Sequence, residues 1–156
     1  MTSSLAETAA RCDTTIAQAR ADLIRAVRQA AASGMPQSRI ASEIGRSQPE
    51  VHRLLHFNGT SPRGRALRRN APAVRRLVAD RGGRDVRVFG SVAAGNDGPE
   101  SDIDLLFTMK KPLSLMQLAE LEIEVSRIIG VDVDMIPESA IRPDLRDRIL
   151  AESVPL

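Results

Sequence analysis

The stretch FGSVAAGNDGPESDIDLL, residues 89–106, places two aspartates one residue apart at the head of an apolar run. On a strand, residues i and i+2 share a face, so Asp102 and Asp104 point the same way. Two adjacent carboxylates repel, and burial makes ionising them harder still. The arrangement is costly unless a cation sits between them. Hard divalent ions such as Mg²⁺ take oxygen ligands, commonly one or two carboxylates together with substrate phosphates. Upstream, Gly90-Ser91 follows a predicted strand and opens a predicted short helix over residues 91–94. Glycine lets backbone approach a ligand closely, a helix N-terminus favours phosphate, and the Ser91 hydroxyl can donate to the same group.

A second apolar run, VDVDMI, again carries two aspartates on one face, Asp132 and Asp134. If the two strands are neighbours, three carboxylates converge beside the Gly90-Ser91 turn. That is the ligand set of a two-metal site, in which one ion activates an attacking oxygen and the other steadies a triphosphate and its leaving group.

Around this centre the pattern predicts strands over residues 86–89, 103–107 and 131–136. A helix is predicted over 114–129, opened by a Ser114/Gln117 capping box, with Leu115, Leu118, Leu121, Ile128 and Ile129 facing inward. A last helix is expected over about 144–152, after Pro143. The fold class is α+β, with a small sheet backed by helices.

The N-terminal half reads differently. Ile16, Leu23, Ile24, Val27 and Ala31 recur at helical spacing over about 15–33. A short helix containing Ile40, Ala41 and Ile44 then meets Gly45. Ser47, with Glu50 three residues on, caps a second helix carrying Val51, Leu54 and Leu55. This is the pattern of a helix-turn-helix. Gln48, Glu50, His52 and Arg53 of the second helix are the residues expected in a DNA groove, and Arg39 and Arg46 the phosphate contacts. His52 and His56 stand four apart, but no further ligand completes a metal site. Residues 58–72 read as an arginine-rich linker, with Asn70 capping a helix over 71–81. The expected organisation is therefore an all-α DNA-binding domain (1–60), a basic linker and helix (61–84) and an α+β domain (85–156).

Charge follows that division. Residues 1–87 hold 16 basic and 7 acidic side chains, whereas residues 88–156 hold 6 and 13. The first half suits a polyanion such as DNA, and the second suits cations or a basic partner. The chain has no Trp or Tyr and three Phe, too few rings for a single-strand-binding platform. It also has no tyrosine of its own to serve as a reaction site. Cys12 is alone, so no internal disulfide can form, and it reads as a small apolar residue. The opening residues lack a signal-peptide layout and no apolar run is long enough to span a membrane, so a cytoplasmic protein is expected.

Gly90-Ser91, ten intervening residues and Asp102-Ile103-Asp104 together resemble the G-S-x10-D-x-D signature of the DNA polymerase β-like nucleotidyltransferases. The short form resembles the minimal nucleotidyltransferases, many of them antitoxins paired with HEPN-domain toxins. The likeness runs over about 85–156. In that family the third carboxylate lies in a strand that aligns best with VDMI, hence Asp134, with Asp132 the alternative. The resemblance implies Mg²⁺ (two ions), ATP as substrate, and transfer of AMP to a hydroxyl of the partner toxin. It leaves room for a homodimer or a hetero-oligomer with the toxin. Relatives often carry an arginine where this chain has Ala94, and Arg84 and Arg87 are the nearby candidates to replace it. Two rival readings stand beside this one. One is a non-catalytic DNA-binding repressor that blocks its toxin with a relic site. The other is a small-molecule nucleotidyltransferase, for which the C-terminal domain is small.

Overall fold

A computed structural model of the protein describes residues 4–156. The first three residues of the expected 1–60 domain, part of the opening stretch read as lacking a signal-peptide layout, lie outside it. Helix α1 runs over Leu5–Ala32, ten residues earlier than the apolar periodicity predicts. Its start is set by a box the periodicity does not report: Ser4 Oγ accepts from the Glu7 N–H, and the Glu7 carboxylate accepts from the Ser4 N–H. Capping of this kind satisfies N–H groups that the helix cannot. The first four turns bury nothing. Ile16, expected inside, is 66% exposed, and Cys12 is exposed as well.

Two short helices follow, α2 (Gln37–Ile44) and α3 (Gln48–Leu54). Gly45 joins them in the left-handed conformation, φ 65°. Ser47 caps α3 through the Glu50 N–H as expected, while the Glu50 carboxylate lies 4.0 Å from Arg46. Ile24 and Val27 of α1 close a small core with Ile40, Ala41, Val51 and Leu54.

The expected linker is a correction. Residues Pro62–Asp80 form one continuous helix, α4. Its cap is Ser61, whose hydroxyl accepts from the Gly64 N–H, and Pro62 occupies the first turn, where its missing N–H costs nothing. Asn70 caps nothing: its Nδ2 donates back to the Ala66 carbonyl inside the helix. Pro72 also lies within α4. Burial of Leu67, Ala71, Val74 and Val78 carries the helix through these breaking residues, tertiary packing outweighing local propensity.

The sheet holds β1 (Gly83–Phe89), β2 (Ile103–Met109), β3 (Val133–Pro137) and β4 (Val154–Pro155), in the order β3-β2-β1-β4. β1 runs antiparallel to β2 and β4, and β2 runs parallel to β3. The short helix α5 (Gly90–Ala94) connects β1 toward β2. Helix α6 (Leu115–Ile129) joins β2 to β3, and α7 (Pro143–Glu152) precedes β4. β1 starts three residues earlier than expected because its register slips between Arg84 and Arg87, with Asp85 at φ 53°. β4 has no counterpart in the sequence reading.

One face of the sheet packs on α4 and α6. Val86, Val88, Ile103, Leu105, Phe107, Val133 and Met135 meet Val74, Val78, Leu121, Val125 and Ile129 there. Of the α6 residues expected inside, Leu121 and Ile129 are buried and Leu118 packs partly against the core. Leu115 and Ile128 sit at the margins of the stripe, 87% and 38% exposed. The N-terminal helices rest on this layer, since α1 touches both α5 and α7, and Gln29 donates to Glu152 at 2.9 Å. Among the described residues no helix is long and apolar enough to cross a membrane.

Phe107 is the largest fully buried side chain of the sheet core, 1% exposed. Phe107→Ala is expected to cost about 3–5 kcal/mol in urea unfolding, through lost burial and the cavity left behind.

Candidate active site

Odd-numbered residues of β2 point into the core, so alternation turns Asp102 and Asp104 to the other face. Register then fixes their neighbours. Asp104 pairs with Phe89 on one side and with Asp134 on the other. The residue after Phe89 is Gly90, so the turn opening α5 lies against the Asp104 carboxylate. Gly90 has φ 71°, and a Cβ there would overlap that carboxylate. Position 90 therefore admits glycine on two independent grounds, conformation and space.

Asp104 is half-buried, while Asp102, Asp132 and Asp134 are exposed. Burial, then the charges of Asp134 and Asp102, push the Asp104 pKa up to about 6. Asp132 contributes its carbonyl to the sheet, accepting from the Ile103 N–H at 3.0 Å. Its side chain lines a cleft of about 740 Å³ with Asp102, Asp134, Glu122, Arg63 and Arg127. Among the described residues no cluster of three or more acidic, imidazole or thiol side chains is closed tightly enough to hold a bare ion. The donors are nonetheless all hard oxygens, and Asp104 is paired with carboxylates where a cation would relieve it. That set fits Mg²⁺ arriving with phosphate oxygens of its own.

Three supports escaped the sequence reading. Arg63, in the stretch read as linker, donates to the carbonyls of Pro99 and Ser101 and so braces the chain just ahead of Asp102. Ser126 and Glu122 of α6 accept from the outward N–H groups of Val133 and Met135, at 3.1 and 3.0 Å. They cover the edge of β3 and hold Asp134 in register. Arg28 of α1 reaches the carbonyl of Ala93 in α5. All three act on or through main-chain groups, and such acceptors leave no mark in a sequence.

Ala94 is buried, 3% exposed. Neither arginine expected to stand in for one there is given to the loop. Arg87 donates to the hydroxyl and carbonyl of Ser153, and Arg84 lies exposed beside Asp85 at 3.4 Å.

The residues expected at DNA gather on α2, α3 and the turn between them. Arg39, Arg46, Gln48, His52 and Arg53 are exposed and Glu50 is half-buried. Arg39 pairs with Glu43 at 3.0 Å. The rings of His52 and His56 lie against each other at a tilt of 42°, centroids 4.2 Å apart, and His56 Nδ1 lies 2.7 Å from the His52 carbonyl.

A sheet that sets carboxylates against a glycine turn makes a place suited to phosphate and the cations that travel with it. The nucleotidyltransferase domain family matches residues 68–156, and the chain belongs to it. A Methanocaldococcus jannaschii protein named as a candidate protein adenylyltransferase is 35% identical over 78 residues, 50% of this chain and 84% of that one. The protein adenylyltransferase MntA of Thermococcus cleftensis is 32% identical over 73 residues, 47% of this chain and 74% of that one. Among solved structures, one described as a candidate minimal nucleotidyltransferase superposes with a TM-score of 0.54 at 39% identity, covering 59% of this chain and 94% of that one. A toxin-antitoxin structure with AMP-PNP shares the fold at a TM-score of 0.51 and 20% identity, covering 55% and 71%.

The raised pKa of Asp104 has a definite sign. A carboxyl whose pKa is higher folded than unfolded favours the fold while protonated. Stability from this group is full below about pH 4, is lost as pH rises through about 6, and stays lost above it. Asp104→Asn is therefore expected to melt higher than the wild type at pH 8 in EDTA, and level with it at pH 4. Each kcal/mol recovered corresponds to about 2–4 °C in Tm for a chain of this size. A wild type that is the more stable at pH 8 overturns the assignment of strain to Asp104.

Proposed function

We propose that the protein is the antitoxin of a toxin-antitoxin pair, transferring AMP from Mg·ATP to a hydroxyl of its partner toxin, a HEPN-type protein. The observation that carries this reading is the register of Asp104 between the Gly90 turn and Asp134. The names of the relatives support the protein acceptor, and the fold shared with a toxin-antitoxin structure supports the setting. The absence of tyrosine is consistent with an acceptor on another molecule.

In this reading Asp102 and Asp104 hold two Mg²⁺, with Asp134 completing the set and Asp132 its alternative. Bound Mg²⁺ supplies Lewis-acid polarisation of the phosphates and charge neutralisation on the leaving group. The Gly90 backbone and the Ser91 hydroxyl cradle the phosphates. Asp134 accepts the proton of the incoming hydroxyl. The acceptor oxygen bonds to the α-phosphorus, the bridging bond to the β-phosphate breaks, and pyrophosphate leaves. The cleft edged by Arg63, Ile123 and Arg127 gives the acceptor its approach to Asp102 and Asp134.

Incubation of the neighbouring gene's product with the protein, Mg²⁺ and ATP is expected to yield an AMP adduct by mass spectrometry. The Asp102→Ala/Asp104→Ala protein should yield none. A tight complex with no adduct under either condition would falsify the transfer and leave a binding antitoxin.

The same reading gives α2 and α3 a role as a helix-turn-helix that binds the operon's own operator DNA, α3 entering the major groove. Phosphate contacts release counterions, so binding should weaken steeply with salt. Arg39→Ala and Arg46→Ala should each lower the slope of log K against log[salt] by about 0.9. Unchanged slopes in both remove these residues from the DNA interface.

A further inference from the structure

Arg28 is the one charged side chain buried among the described residues, 4% exposed. It lies on α1, outside the matched nucleotidyltransferase region. Its Nε donates to the Leu54 carbonyl at 3.0 Å, one terminal nitrogen to His56 at 3.2 Å and the other to Ala93 at 2.7 Å. Leu54 is the last residue of α3, and His56 lies two residues beyond it. Ala93 stands near the end of α5, two residues after Ser91. A helix end leaves carbonyls without partners, and a cation there satisfies them and the local dipole. Burial and the neighbouring Arg25 push the Arg28 pKa down to about 10, so it remains charged at neutral pH. A buried guanidinium is expensive, and its donors are matched here to acceptors from two separate parts of the chain.

We propose that Arg28 is a positioning residue for nucleotidyl transfer: anchored to the end of α3, it holds the Ala93 carbonyl and thereby fixes the Gly90-Ser91 turn against Asp104. The N-terminal helices are then a structural part of the transferase site. α5 is five residues long and opens directly from β1, too short to hold its own pose by propagation of helical hydrogen bonds. Its inner side packs through Val92, Ala93 and Ala94, and Arg28 supplies the directional bond that fixes its rotation. The proposal rests on the reading of Gly90-Ser91 as the nucleotide cradle.

The test uses the full chain and Mg·AMP-PNP as probe, by isothermal titration, with hydrogen exchange followed at residues 91–95. Arg28→Met keeps bulk and removes every donor. Val51→Ala, in the same N-terminal core and fully buried, is the control for general destabilisation. Both are measured at a temperature where circular dichroism shows them folded. Arg28→Met is expected to weaken AMP-PNP binding at least tenfold and to speed exchange at 91–95. Val51→Ala should stay within twofold of the wild type in affinity. Arg28→Lys, which retains a charged donor, should lie between the wild type and Arg28→Met. Unchanged affinity and exchange in Arg28→Met, or an equal loss in Val51→Ala, overturns the proposal. A wild type that does not bind AMP-PNP defeats the nucleotide reading instead, and the exchange measurement still reports whether Arg28 holds the loop.

Discussion

The structure around the site turns on one crowded contact, the Asp104 carboxylate lodged against Gly90 and beside Asp134. Everything near it is arranged to keep that contact in place. The antiparallel pairing of β1 with β2 sets Phe89 opposite Asp104, so the chain must turn at the next residue. The parallel pairing of β2 with β3 brings the second carboxylate alongside. The core on the other face of the sheet fixes both registers, because a slip of one residue would exchange Ile103, Leu105 and Phe107 for Asp104, Leu106 and Thr108. Hydrophobic burial on one face thus determines electrostatic repulsion on the other.

That repulsion is held by the fold rather than relieved by it. Among the described residues no arginine or lysine offsets the charge of Asp104, which meets only burial and two like charges. A structural carboxylate would have been paired, and the basic half of the chain contains many arginines that could have done so. They are used elsewhere: Arg63 on the loop carbonyls before Asp102, Arg81 on Glu124 and Arg87 on Ser153. Asp104 is thus left facing like charges alone.

The parts legible from sequence were those in which neighbours along the chain do the work. The Ser114/Gln117 box, the left-handed Gly45, the alternation of β2 and the spacing of Gly90-Ser91 from Asp102 and Asp104 are all local. The rest is decided at a distance. Nothing local tells that 62–72 is helical despite Pro72, since burial of Leu67 and Ala71 decides it. β4 is two residues long, one of them proline, and exists because β1 offers it an edge. Leu115 and Ile128 carry the right periodicity and miss the core because α6 meets the sheet along a narrower stripe than the sequence allows. For the site, residue types announced the carboxylates and the turn, whereas Arg63, Glu122, Ser126 and Arg28 were silent because they bind main-chain groups.

This division bears on how two halves with different charge came to share one chain. Two autonomous domains would meet through exposed polar surface and could drift relative to each other. Here a buried cation ties the end of α3 to the end of α5, and a guanidinium desolvated between three carbonyls has no tolerance for displacement, since any lost bond leaves a buried polar group unmatched. A ligand that shifts the end of α3 must therefore either carry α5 with it or break that bond, and a nucleotide that tightens α5 must act back on α3. A ligand that favours one placement of the end of α3 would in this way act on Gly90, and by reciprocity one that favours one placement of Gly90 would act back on α3.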